Sequence, residues 1–206
     1  MSTFAGALPQ QFVMKCNNGS GDVVVCKDKK DLDAHKTQEY FRTMMQRTYG
    51  TLTGENHYTN ILPAIIAEEL LDSSTQPNGS RSLVDYKIWS FDGHPAYIVC
   101  YSHRHDRYYC EIGVYDNEWH EHRECLRYTK HYQPERQPIP RPICLKEMLE
   151  VASKLSKGFP QVRVDLYEVK GKVYFGELTF TSSGGYMAHF TDQFLKELGD
   201  KCLLPQ

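Results

Sequence analysis

The stretch Gln161–Gly185, QVRVDLYEVKGKVYFGELTFTSSGG, constrains this chain more than any other. Its side chains alternate between apolar and polar, and Lys170-Gly171-Lys172 interrupts them. It therefore reads as two antiparallel strands joined by a tight turn. Val162, Val164 and Leu166 fall on one face of the first strand, with Arg163, Asp165 and Tyr167 on the other. In the second strand Glu177 and Thr179 share a face, opposite Gly176, Leu178 and Phe180. A slip of one residue exchanges the faces, so the pattern specifies the register. A two-residue loop would set Val164 opposite Glu177. A three-residue loop sets Asp165 opposite Glu177, Arg163 opposite Thr179 and Val164 opposite Leu178, and that loop is the expectation.

Two facing carboxylates repel unless a cation or a proton lies between them. Oxygen ligands at this spacing suit Mg²⁺, which takes one or two carboxylates plus phosphate oxygens. Arg163 beside them is a planar fork for phosphate. The competing reading is a surface hairpin whose acids pair with Arg163 and a lysine, since ion pairs are commoner than metal sites.

The chain has 206 residues, enough for one domain or two small lobes with a real core. A net charge of −2 gives no global pull toward nucleic acid or anionic membrane. The seven cysteines include no C-x-x-C pair and most lie in apolar runs such as FVMKC, VVVC and YIVCY, which points to buried thiols in a reducing, cytoplasmic setting. No secretory signal is evident, and the longest apolar runs are too short to span a bilayer.

After a loose lead-in over residues 1–10, Phe12–Cys16 and Val23–Cys26 read as strands around the turn-rich loop Asn17–Asp22. Glycines there allow a backbone to approach a phosphate, and Lys15 stands just before the loop; a plain hairpin turn is the blander alternative. Lys27–Arg47 is a candidate helix capped by Asp31 or Asp33, and Gly50–Asn60 a polar loop. Ile61–Ala67 reads as a buried strand leading into Glu68-Glu69-Leu70-Leu71. Asp72–Ser80 carries the strongest linker signal, which divides residues 8–72 from residues 83–206. Leu83–Phe91 and His94–Tyr101 then form strands around an Asp92-Gly93 hairpin turn, and RYYCEIGVY adds another. His103 with His105, and His120 with His122, raise zinc as an idea, weakened because spacing places no third ligand. The proline-spaced residues 127–142 read as an extended functional loop, Ile143–Lys157 as an amphipathic helix stopped by Gly158 and Pro160, and Asp192–Leu198 as a short helix ended by Gly199.

Six ordered motifs together carry a family resemblance: Leu8-Pro9…Phe12-Val13-Met14-Lys15-Cys16-Asn17-Asn18-Gly19-Ser20-Gly21; Ala67-Glu68-Glu69-Leu70-Leu71; Asp85-Tyr86-Lys87; Tyr115-Asp116-x-x-Trp119; Arg163-Val164-Asp165-Leu166-Tyr167; and Phe175-Gly176-Glu177-Leu178-Thr179-Phe180. In this order they resemble the ATP-grasp fold, and more closely the TupA-like ATP-grasp proteins of cell-surface polysaccharide clusters. The resemblance implies an α+β fold in which two lobes with antiparallel sheets sandwich ATP. It implies that Lys15 binds the α/β-phosphates under a loop of Gly19, Ser20 and Gly21, and that Glu68, Glu69, Leu70 and Leu71 hold adenine. Asp85 stands where a ribose-binding acid is expected, and Lys87 is a second phosphate or adenine contact or else a solvated strand lysine. Asp165 and Glu177, with Thr179, would carry Mg²⁺, and Arg163 would stabilise the transferring phosphoryl group.

Two departures qualify the likeness. Thr179 stands where many ATP-grasp enzymes have Asn, so a second metal would be held more weakly. The usual N-terminal domain is not recognisable, so acceptor binding would fall to a partner protein, a homodimer or residues 102–142. The implied activity is ATP- and Mg²⁺-dependent joining of a carboxylate to an amine or thiol through an acyl phosphate, on a small molecule or glycan. Phosphorylation of a sugar hydroxyl and a non-catalytic nucleotide-binding scaffold are the alternatives.

Overall fold

The computed structural model describes residues 8–106 and 109–204 of the chain, without the side chains of His105 and Asp106. Residues 1–7 of the expected lead-in, and Arg107 and Tyr108 of the expected strand, lie outside the described residues. The chain divides into two compact units: one runs up to Leu71 and takes in Ser183–Gly185, and the other comprises Asp72–Ser182 and the residues from Tyr186 onward.

The first unit is a three-stranded antiparallel sheet of order β2-β1-β3, built from β1 (Phe12–Cys16), β2 (Val23–Cys26) and β3 (Ile65–Glu69). Helix α1 (Ala34–Met44) covers one face, packing Phe41 and Met44 against Cys16, Met14 and Val24. The helix is shorter than the expected Lys27–Arg47. A 3₁₀ turn at Lys29–Asp31 precedes it, and Asp33 caps it by accepting a hydrogen bond from the Lys36 amide. The expected loop Gly50–Asn60 in fact folds into α2 (Tyr49–Thr53) and a 3₁₀ turn (Asn56–Asn60).

Ile61–Ala67 overturns another expectation. Every residue of β3 is exposed, because β3 is an edge strand of a sheet with only one covered face. The strand pairs set Val13, Lys15, Val23, Val25, Ile66 and Glu68 on the other face, where Val23, Val25 and Ile66 remain at least 40% exposed. An apolar run alone does not tell a core strand from a strand lining an open face.

The second unit is built on a six-stranded sheet of order β7-β6-β5-β4-β8-β9. Its strands are β4 (Asp85–Phe91), β5 (His94–Asp106), β6 (Tyr109–Tyr115), β7 (Tyr132–Pro134), β8 (Val162–Val169) and β9 (Lys172–Thr179). All neighbours are antiparallel except β6 and β7. The short β7 gives the proline-spaced segment one ordered edge. Asp92 and Gly93 take the positive φ of a tight turn between β4 and β5, as the Asp-Gly pair predicts.

Alternation gives this sheet two unlike faces. Tyr86, Ile88, Ile98, Cys100, Val162, Val164 and Leu166 pack under α3 (Leu145–Ser156), against Leu145, Met148 and Ala152. Each fully buried side chain of this size contributes roughly 1.5–3 kcal/mol. On the opposite face Trp89, Phe91, Val99, Ile112 and Val114 pack with Phe190, Phe194 and Leu198 of α4 (Asp192–Lys201) and the turn before it. Gly199 lies inside this helix rather than ending it. The aromatic cover stops short of the far end of the face, and there the charged residues begin.

The β8–β9 hairpin has the expected pairs Arg163–Thr179, Val164–Leu178 and Asp165–Glu177, but not the expected loop. Val169 pairs with Lys172, so the turn is the two residues Lys170 and Gly171, both with positive φ. The register changes between Asp165 and Leu166, because Leu166 pairs with Phe175 and leaves Gly176 as an extra residue. A β-bulge therefore supplies the offset that was expected of a longer loop. A Cβ on Gly176 would lie 3.0 Å from Tyr167 Cε2 and 3.1 Å from the Asp165 carbonyl oxygen, which is why glycine stands at the bulge.

Six of the seven cysteines are buried and all are free thiols. Among the described residues, no three of His, Cys, Asp and Glu gather to hold a metal, which removes the zinc idea for the described histidines; the His105 side chain lies outside them. His120 and His122 instead pair with Asp116, and His122 also with Glu124. No described helix is long and apolar enough to cross a membrane.

Candidate functional site

The bulge and the β4–β8 pairing bring six of the predicted residues onto one face of the larger sheet. Lys87 lies beside Asp165 across β4 and β8, and Asp165 beside Glu177 across β8 and β9. Asp165 is buried, with its side chain only 1% exposed. Its Oδ1 accepts from Arg163 Nε at 2.6 Å, and its Oδ2 accepts from an Arg163 terminal nitrogen at 2.7 Å and from Lys87 Nζ. That Arg163 nitrogen also reaches Glu177 Oε1 at 3.2 Å and Thr179 Oγ1 at 2.9 Å, while the other donates to Ser182 Oγ at 2.9 Å. Thr179 in turn donates to Glu177 Oε1 at 3.1 Å. Lys87 Nζ lies 3.1 Å from Asp85 Oδ2, which also accepts from Arg104 at 2.7 Å.

Asp165 and Glu177 face each other, and the cation between them in this structure is the Arg163 guanidinium. Burial would raise the Asp165 carboxyl, but Lys87 and Arg163 more than reverse it and hold the group below the usual carboxylate range. Glu177 goes the other way: burial and the Asp165 charge raise it. The two acids therefore divide their labour. One is a fixed anion; the other, with its side chain 51% exposed, is the more approachable oxygen pair.

An aromatic wall borders the cluster. Lys87 Nζ sits over the Tyr101 ring at 5.6 Å, and the Tyr101 hydroxyl lies 3.0 Å from His189 Nε2. Burial, reinforced by Arg163 and His131, lowers His189 to about 4, so its imidazole is neutral at neutral pH.

The remaining predicted residues belong to the smaller unit. Lys15 Nζ forms an ion pair with Glu68 Oε2 at 2.8 Å across β1 and β3, on the open face of the sheet. Glu69 alternates to the other face, and Leu70 and Leu71 follow the strand, half-buried. The glycine loop is pinned at both ends. Asn17 Oδ1 accepts from the Ala64 amide at 2.7 Å and its Nδ2 donates to the Leu62 carbonyl, Asn18 Nδ2 donates to the Met45 carbonyl, and buried Asp22 pairs with Arg47 at 3.2 Å. Ser20 and Gly21 between these anchors are exposed, and Gly21 has φ +82° with no atom within 4 Å of where a Cβ would lie.

Over residues 4–203 the sequence matches the family model described as TupA-like ATPgrasp. The chain belongs to the TupA-like ATP-grasp family. No curated protein and no solved structure matches it. Membership of this family points to ATP-dependent, ligase-type enzyme activity. The α+β architecture with antiparallel sheets fits an ATP-grasp chain.

The residues present suit the ligands that the family generally uses. Asp165, Glu177 and Thr179 offer oxygen donors only, the set Mg²⁺ prefers, and two carboxylates are the usual protein share of such a site. Arg163 and Lys87 add cations for phosphate oxygens. In the smaller sheet, Lys15 lies on the same open face as exposed Val23, Val25 and Ile66, a cation beside an apolar surface. Sequence reasoning missed Arg104, Ser182, Tyr101 and His189 around the cluster. Ser182 alone was within its reach, as the first residue of the Ser-Ser-Gly-Gly run after the hairpin; the others are brought in by sheet order.

Proposed function

We propose that this ATP-grasp chain binds ATP with Mg²⁺ and joins a carboxylate to an amine or thiol through an acyl phosphate. The observation that carries the proposal is the Asp165–Glu177 pair, set face to face by a glycine bulge with Arg163, Thr179 and Lys87 around it.

In this reading Asp165, Glu177 and Thr179 hold Mg²⁺. The ion would neutralise phosphate oxygens and help fix the phosphoryl group that is transferred. Arg163 supplies a rigid donor plane to the same oxygens; its bonds to Asp165, Thr179 and Ser182 fix its direction beforehand. Lys15 contacts the α/β-phosphates, and Gly19, Ser20 and Gly21 close over them with backbone amides. Their neighbours Asn17, Asn18 and Asp22 anchor the ends of that loop. Glu68 to Leu71 present backbone to adenine. Asp85, buried between Lys87 and Arg104, serves to hold Lys87 in place rather than to bind ribose.

The lobes are residues 8–72 and 83–206, the acceptor is a component of a surface glycan, and the setting is cytoplasmic. The test is turnover with pooled candidate acids and amines. ADP and phosphate release that requires both an acid and an amine supports the ligase. ADP release with a sugar alone, with the phosphoryl group carried on the sugar and no free phosphate, would replace it with a kinase.

A further inference from the structure

The charged face of the larger sheet is already neutral by its own residues. Ion pairs join three carboxylates (Asp85, Asp165 and Glu177) to three cations (Lys87, Arg104 and Arg163). A divalent ion arriving alone would leave the cluster with excess positive charge in a poorly solvated place, where such an imbalance is costly. Asp165 Oδ2 already accepts from both Arg163 and Lys87, so a metal that takes this oxygen must displace one of them.

The two partners are not equally held. Arg163 is a planar group fastened to Asp165 at both oxygens and to Glu177, Thr179 and Ser182. Lys87 is a single ammonium on a four-carbon stem, bound to Asp165 and to Asp85 alone among the described carboxylates. Asp85 Oδ1 is buried and accepts no hydrogen bond among the described residues. An ammonium that leaves Asp165 therefore keeps Asp85 as its anchor and finds an unused acceptor on that same carboxylate.

We infer that Lys87 is an exchangeable counter-ion: it neutralises Asp165 until a divalent metal on Asp165 Oδ2 takes over that role, and it thereby makes the site accept the metal together with an anionic phosphate ligand rather than the metal alone. The inference rests on the reading of Asp165 and Glu177 as metal ligands. Its physical content is a charge balance. The metal adds two positive charges, and the polyphosphate returns the negative charge that keeps the cluster near neutral while giving Lys87 a new partner.

Mn²⁺ serves as the probe, with the free ion counted by electron paramagnetic resonance. The full chain is titrated as wild type, Lys87→Met and Lys87→Gln, each with and without Asp165→Asn, and each with and without a non-hydrolysable ATP analogue. Wild type is expected to bind Mn²⁺ weakly alone and much more tightly with the analogue. Both Lys87 variants are expected to bind Mn²⁺ alone about tenfold or more tightly than wild type, since one positive charge has left the site. Asp165→Asn is expected to abolish that gain. The Gln variant retains a donor for Asp165, and its reading stands if the Met variant does not fold. Wild type that binds Mn²⁺ alone as tightly as either Lys87 variant, with the same dependence on Asp165, would overturn the exchange and leave the proposed function standing. No Asp165-dependent Mn²⁺ binding in any sample, even with the analogue, would overturn both.

Discussion

Replacing Glu135 by glutamine is predicted to remove a large part of the pH dependence of this protein's stability. Glu135 lies on the proline-spaced segment and is 5% exposed. Its Oε2 accepts from the Tyr115 hydroxyl at 2.5 Å and from the Ile139 amide at 3.3 Å, while its Oε1 is buried without a partner. Gly113 makes room for it, because a Cβ there would lie 2.6 Å from Oε1. Burial pushes the carboxyl from its ordinary 4.5 up to about 7. Between those values the folded chain keeps a proton that the unfolded chain has released, so stability falls as pH rises through the window and levels off above it. Each pH step of one costs about 1.4 kcal/mol, so the whole window is worth about 3 kcal/mol. An amide cannot ionise, and Glu135→Gln loses this slope. The unpaired amide nitrogen adds a cost of roughly 1–3 kcal/mol, but that cost is the same at every pH. Urea unfolding at a series of pH values measures the effect. Both tryptophans of the chain, Trp89 and Trp119, lie in the same unit, and Trp119 stacks on Tyr115 at 4.2 Å, so their fluorescence reports the right part of the molecule. Wild type should lose about 3 kcal/mol more than the variant between about pH 4.5 and pH 7. Parallel stability curves for the two proteins would refute the reasoning.

Two further perturbations follow from the geometry. Gly176→Ala forces a methyl group against the Asp165 carbonyl and the Tyr167 ring, and should cost about 1–3 kcal/mol in thermal unfolding while weakening Mg·ATP binding; an unchanged melting temperature would show that the bulge tolerates a side chain. His189 should remain neutral down to about 4, so its ring resonances in an NMR titration should stay flat where exposed histidines move. Since the unfolded chain binds that proton below its ordinary 6.5, the His189 contribution to stability is lost as pH falls from there through about 4, and a His189 midpoint near 6.5 would contradict the burial argument.

What was legible in the sequence, and what was not, follows from the reach of each signal. The pairing of Asp165 with Glu177 could be read because Val164 and Leu178 must share a buried face, and one slipped residue would bury a carboxylate in the core. The means of reaching that register could not be read. A longer turn and a bulge at Gly176 produce the same pairs, and only the backbone around Leu166 and Phe175 separates them. Helix α3 was clear from its periodicity and from Gly158, which takes the positive φ expected after a helix. Strand β3 was misjudged because hydrophobicity does not say whether a sheet face is covered. At the site, Arg163 was placed beside the acids by alternation alone, but its position between them depends on a side-chain path across two strands. Arg104, Tyr101 and His189 join the cluster through β5 and the turn before α4, contacts that lie 19 and 88 residues apart in the chain.

The proposed function requires that Asp165 and Glu177 hold a metal that tethers a nucleotide. The most direct measurement is isothermal titration of an ATP analogue into the full chain, with Mg²⁺ and with chelator, for wild type and Asp165→Asn. Saturable binding by wild type that needs Mg²⁺ and is lost in Asp165→Asn is the predicted result. Binding of equal strength in both proteins, or indifferent to Mg²⁺, would mean that the cluster is an internal salt-bridge network with no part in holding nucleotide.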